Sequence, residues 1–80
     1  MPTVFRQEGF ALDIYPLDHA PAHAHIWKAG KEVVINLGEG TETPSLREIN
    51  GMKKNEVRKA YSLVEKNLAH LRQRWREYHG

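Results

Sequence analysis

The residues able to do chemistry are concentrated in Asp18-His19-Ala20-Pro21-Ala22-His23-Ala24-His25-Ile26-Trp27, where three of the five histidines fall within seven residues. His23 and His25 are two apart. On a strand both imidazoles would project from one face, about 6–7 Å apart, close enough to converge on one metal ion. His19, on a Pro-bounded loop, could supply a third ligand, with Asp18 or Glu32 as a carboxylate ligand or hydrogen-bond partner. Zinc is the ion such a set would take. No fourth ligand is fixed by the spacing, however, and a His-x-His strand occurs in many domains that bind no metal, so the expectation is a site without a cofactor. A structural role is the plainer alternative, with His19 or His23 hydrogen-bonded to backbone groups that the Pro21 connection leaves unpaired.

The same residues admit two further readings. In RNA cleavage, His23 and His25 with Arg6 or Lys28 could deprotonate a 2′-hydroxyl, protonate the leaving oxygen and stabilise the phosphorane. In a binding module, Trp27, Tyr15 and the histidines offer stacking and hydrogen-bonding surface without any catalytic geometry. Other chemistries are poorly represented. Ser45 and Ser62 lie in no nucleophile motif, no Gly-rich phosphate loop is present, and the absence of cysteine excludes disulfides and thiolate metal sites.

Charge is unevenly distributed. Residues 1–51 carry four basic against seven acidic side chains, and residues 52–80 carry eight basic against three acidic. A basic C-terminal third suggests an anionic partner, with Lys66, Arg72 and Arg76 as candidate phosphate contacts, although a solvated helix face gives the same count. No stretch approaches the roughly 18 apolar residues that span a bilayer, and the N-terminus lacks a basic segment followed by an apolar run. A cytoplasmic protein with no membrane partner is expected.

These residues must be positioned by few elements, because 80 residues make one domain with one small core. Thr3 to Arg6 and Phe10 to Tyr15 read as a hairpin turning at Glu8-Gly9, pairing Phe5 with Leu12 and Arg6 with Ala11. Pro16 to Pro21 is a connection, because two prolines cannot donate to a ladder. Ala22 to Lys28 and Lys31 to Leu37 form a second hairpin about Ala29-Gly30, pairing Trp27 with Glu32, His25 with Val34 and His23 with Asn36. The alternation selects this register, since a one-residue slip would exchange the faces. Gly38 to Pro44 is a loop, Ser45 to Ile49 a candidate short edge strand, and Asn50-Gly51 a turn.

From about Lys53 onward, Val57, Ala60, Tyr61, Val64, Leu68, Leu71, Trp75 and Tyr78 form the apolar stripe of one long amphipathic helix. Trp75 and Tyr61 are therefore core. The expected architecture is α+β: an antiparallel sheet of about four strands, two hairpins, packed on one C-terminal helix, with 1–51 the β-rich part and 52–80 the basic helix. Its second face should be open, displaying Arg6, Asp13, Tyr15, His23, His25, Trp27 and Glu32, a surface for a partner or for self-association as a homodimer.

Pro2-Thr3-Val4-Phe5-Arg6, Gly9-Phe10, Asp18-His19-Ala20-Pro21-Ala22-His23-Ala24-His25, the Gly30 turn and the late Trp75 resemble a bacterial and phage family catalogued as domain of unknown function 4160. The resemblance covers essentially the whole chain. It implies a small partner-binding protein, often encoded beside a member of the family catalogued as domain of unknown function 2442 in what looks like a toxin–antitoxin module. Arg6, His19, His23 and His25 are the positions it carries over, and it implies no known reaction. One departure is Glu32-Val33-Val34-Ile35-Asn36-Leu37, where members tend to have a small Ala followed by an aromatic. The expected function is thus a partner-binding module acting through Arg6, His19, His23, His25, Trp27 and Glu32 and through the basic helix. The alternative is a small ribonuclease-type toxin, metal-assisted or not.

Overall fold

A computed structural model describes residues 3–80; Pro2 of the N-terminal motif lies outside them. Five strands, β1 (Thr3–Gln7), β2 (Phe10–Asp13), β3 (His23–Lys28), β4 (Lys31–Asn36) and β5 (Ser45–Asn50), form one antiparallel sheet in the order β1-β2-β3-β4-β5. Two helices follow, α1 (Lys54–Lys66) and α2 (Leu68–His79). The architecture is α+β as expected, with two corrections: the edge segment is a full fifth strand, and the single helix is broken in two.

Both hairpins have the expected register, the first set by its Glu8-Gly9 turn and the second by alternation. Phe5 pairs with Leu12 and Arg6 with Ala11, and Trp27 with Glu32, His25 with Val34 and His23 with Asn36. Each turn has two consecutive residues at positive φ, Glu8-Gly9 at 52° and 83° and Ala29-Gly30 at 49° and 77°. This left-handed pair matches the twist of the flanking strands, and glycine takes the second position without steric penalty.

The helices cover one sheet face. Leu12, Ile14, Ala24, Ile26, Val33, Ile35 and Leu37 from the sheet meet Val57, Ala60, Leu63, Val64, Leu71 and Trp75 from the helices, and all are buried. Leu63 joins the core although it was not part of the stripe read from the sequence. The break falls at Asn67, whose Nδ2 donates to the Leu63 carbonyl at 2.8 Å and to Gln7 Oε1 at 3.3 Å. An asparagine amide that bonds the preceding turn competes with the helix ladder, and here it is also held to β1 through Gln7. Among the described residues no helix is long and apolar enough to cross a membrane.

The start of α1 is fixed by Glu56, whose carboxylate accepts the Lys53 backbone N–H at 2.9 Å and the Lys31 ammonium at 2.9 Å. The Lys53 N–H bond first, and Lys31 second, hold the Glu56 carboxyl below the usual glutamate range. A depressed carboxyl contributes stability above its unfolded value and loses it as pH falls through the folded one. Glu56→Gln should therefore lower the thermal midpoint at pH 7, and the gap from the parent should close as the pH drops below the ordinary carboxylate range, as followed by circular dichroism.

Candidate functional site

The site is assembled on the sheet face opposite the apolar core, with α2 reaching its His23 end through Trp75. There the rows Arg6-Ala11-Trp27-Glu32, Asp13-His25-Val34-Glu48 and His23-Asn36-Ser45 run across the strands. This face is less open than alternation alone implies. Ala11, Asp13, His23 and Val34 are buried, and the chain leaving β2 folds back to meet Asp13 and His23 among them. The fold-back is a tight turn, closed by the Asp18 N–H to the Tyr15 carbonyl at 3.2 Å, with Pro16 at the position its fixed φ suits. It delivers two groups to the face. Tyr15 accepts the Trp27 indole N–H at 3.0 Å and donates to Asp13 Oδ2 at 3.1 Å, and Asp18 reaches both histidines.

His25 lies between two carboxylates, with Nδ1 2.7 Å from Glu32 Oε2 and Nε2 2.8 Å from Asp18 Oδ2. His23 Nε2 is 3.0 Å from the same Asp18 oxygen, and its Nδ1 is 2.8 Å from the Pro21 carbonyl. The two rings meet edge to face at 5.2 Å. An ionised carboxylate and a peptide carbonyl only accept, so each nitrogen facing one must carry a proton or face it across a cation.

Arg47 Nη1 also lies 3.0 Å from His23 Nδ1, but a guanidinium only donates and cannot share that nitrogen's proton with Pro21. We assign the proton to the Pro21 bond, which is shorter and has its acceptor fixed in the backbone. Arg47, on an exposed strand with other N–H groups to offer, then supplies neighbouring positive charge. Glu32 is steadied in turn by Asn50 Nδ2 at 2.9 Å.

Two buried acceptors flank the pair without a partner, Asp13 Oδ1 and Asn36 Oδ1. Asp13 is the cross-strand neighbour of His25, and Asn36 that of His23. Burial is the main reason the Tyr15 hydroxyl titrates above the ordinary tyrosine range; the Trp27 bond opposes the shift and the Asp13 charge reinforces it.

The structure brings together only part of the expected set. His23, His25 and Glu32 meet as the register requires, but His19 is exposed and outside the cluster, and Asp18 occupies the third corner. Arg6 is exposed and stands at the outer end of a row that holds neither histidine. Lys28 lies over the Phe10 ring at 4.7 Å. The cation at the histidines is instead Arg47, which sequence reasoning missed. Arg47 is the extra residue where the β4–β5 register shifts between Val34/Glu48 and Ile35/Leu46, and a bulge of this kind has no signature in a single strand's alternation.

On α2, Arg72 is not free for phosphate. Its guanidinium donates to the carbonyls of Leu37, Gly40 and Glu42 at 3.0–3.3 Å and ties down the β4–β5 loop. Lys66 and Arg76 are exposed, and Arg76 lines an open pocket of about 280 Å³ with Gly38, Gly40 and Trp75. Trp75 is buried as expected, and its ring also meets His23 at 5.3 Å.

Tyr15→Phe removes both the donor to Asp13 and the acceptor for Trp27. It should cost about 1–3 kcal/mol, the range for leaving buried polar groups unpaired, measured as a lower urea midpoint with an unchanged slope.

The family described as "Domain of unknown function (DUF4160)" matches residues 9–76, from the end of the first hairpin turn to the last turns of α2. The match spans Asp18, His23, His25, Glu32 and Arg47, and Arg6 lies outside it. No curated protein and no solved structure matches the chain. With a family match over most of its length, this chain belongs to the DUF4160 family.

Proposed function

We propose that this protein is a partner-binding module, one component of a bacterial or phage pair of the toxin–antitoxin kind, and that it engages its protein partner along β5. The observation that carries this reading is the condition of that strand. β5 ends the sheet, all six of its residues are exposed, and Leu46 and Ile49 keep 48% and 49% of their surface in water. The bulge at Arg47 is what brings the two together. Leu46 pairs with Ile35 and Ile49 with Val33, so both continue the apolar face of the sheet beyond the part the helices bury. An outermost strand with unpaired N–H and C=O groups is a template for an added strand, and apolar side chains beside it supply specificity.

This moves the principal contact away from the face first suspected. His23, His25 and Glu32 spend their polar atoms on one another and on Asp18; His19 is exposed, and Arg6 is exposed on β1, the sheet edge opposite β5. A second copy of the chain could pair through the same edge. Nucleic acid is left with the exposed Lys66 and Arg76 on the basic helices. One observation favours the alternative, a ribonuclease-type toxin: Arg47 sits beside His23, where a cation would serve a phosphorane. Against it, both nitrogens of each imidazole are already within 3.0 Å of an acceptor.

Leu46→Asp combined with Ile49→Asp should leave thermal stability near that of the parent. It should weaken binding to the neighbour-encoded protein of the domain-of-unknown-function-2442 type by at least about tenfold, since a buried charge at an apolar contact costs more than 1.4 kcal/mol. Unchanged affinity would overturn the β5 reading. RNA cleavage that disappears in His23→Ala and His25→Ala would favour the toxin.

A further inference from the structure

The Asp18, His23 and His25 side chains offer three ligand atoms, His23 Nε2, His25 Nε2 and a carboxylate oxygen, all within 4.8 Å of one another. Four features make this more than a polar cluster. First, each imidazole has its Nδ1 engaged by a fixed acceptor, Pro21 O at 2.8 Å for His23 and Glu32 Oε2 at 2.7 Å for His25. That arrangement sets the Nδ1–H tautomer and turns both Nε2 lone pairs toward the same point, as in carboxylate–histidine–metal sites.

Second, both rings converge on one Asp18 oxygen, His25 Nε2 at 2.8 Å and His23 Nε2 at 3.0 Å, with the ring centroids 5.2 Å apart and only 17% and 6% of the two side chains exposed, so the three groups form one compact corner largely withdrawn from water. Third, the Nε2–Oδ2 separations of 2.8 and 3.0 Å are slightly short of the ligand–ligand edge of about 3.3 Å that follows from bonds of about 2.0–2.1 Å around a tetrahedral ion. The Asp18 side chain is 25% exposed and belongs to a turn, so its carboxylate has room to draw back from the imidazoles. Fourth, Asp13, in register with His25 and more than nine-tenths buried, keeps Oδ1 unpartnered on the same face, an uncompensated acceptor beside the pair.

We propose that His23 Nε2, His25 Nε2 and an Asp18 carboxylate oxygen bind a first-row divalent cation, zinc foremost. Glu32 and the Pro21 carbonyl orient the imidazoles, and the fourth position is left to water. Two imidazoles and one carboxylate suit zinc and its neighbours rather than magnesium or calcium, which take oxygen-only sets. His19, the third histidine of the stretch, is not a ligand.

Zinc titrated into the metal-free full chain by calorimetry, with a competing chelator, tests this directly. The expected result is one equivalent per chain with a rise in thermal midpoint, and, with cobalt, the visible absorption of a four-coordinate site. His25→Gln and Asp18→Asn should each weaken zinc at least tenfold. Asp18→Asn keeps the test usable if a histidine variant misfolds, because asparagine preserves the shape of the side chain and an oxygen toward the imidazoles. Glu32→Gln should cost about 10–100-fold, and His19→Ala should cost nothing. Either of two results overturns the proposal: no stoichiometric uptake by the parent chain, or affinity retained in both His25→Gln and Asp18→Asn, which would place the metal on other histidines.

Discussion

One carboxylate oxygen facing two imidazoles is the constraint on which the rest of this structure turns. Asp18 Oδ2 stands 2.8 Å from His25 Nε2 and 3.0 Å from His23 Nε2, on a sheet face where the histidines are largely withdrawn from water. Buried polar groups must be partnered or they destabilise the fold by amounts comparable to its whole stability margin. Each nearby element answers that demand. The Tyr15–Asp18 turn brings the carboxylate over the sheet, β4 supplies Glu32 for the second nitrogen of His25, and the connection into β3 supplies the Pro21 carbonyl for His23.

The opposite face makes this arrangement affordable. A core of mostly branched apolar residues, joined by Phe10, Met52 and Trp75, holds the two hairpins in register. Register in turn fixes which side chains share a row with the histidines. The helices contribute at a distance: Arg72 clamps the β4–β5 loop through three carbonyls, Glu56 joins α1 to the β3–β4 turn through Lys31, and Trp75 closes against the His23 ring. The basic C-terminal third is thus partly structural. Its most inward arginine serves the loop beside the site.

What was legible in the sequence follows from which signals are local. Glu8-Gly9 and Ala29-Gly30 mark their turns by composition, and the alternation on either side pairs Trp27 with Glu32 and His25 with Val34, as observed. The apolar stripe gave the helical region but not its division, because the periodicity runs through Asn67 unbroken while the break depends on a contact with Gln7 sixty residues away. Arg47 was invisible for a similar reason: its place beside His23 comes from a bulge against β4. Arg72 looked like a phosphate ligand because charge is read from sequence and its carbonyl partners are not. His19 was grouped with His23 and His25 by proximity along the chain, yet the Pro16 turn presents Asp18 and leaves its neighbour in solvent.

The central claim is that His25 is held by Glu32 through a protonated Nδ1, with Nε2 directed at Asp18. Long-range ¹H–¹⁵N correlation spectra of the histidine rings read this directly. A protonated, hydrogen-bonded Nδ1 on His25 is expected with and without zinc, together with loss of any proton on Nε2 when the metal is added. A His25 with a bare Nδ1 and a proton on Nε2 would contradict it.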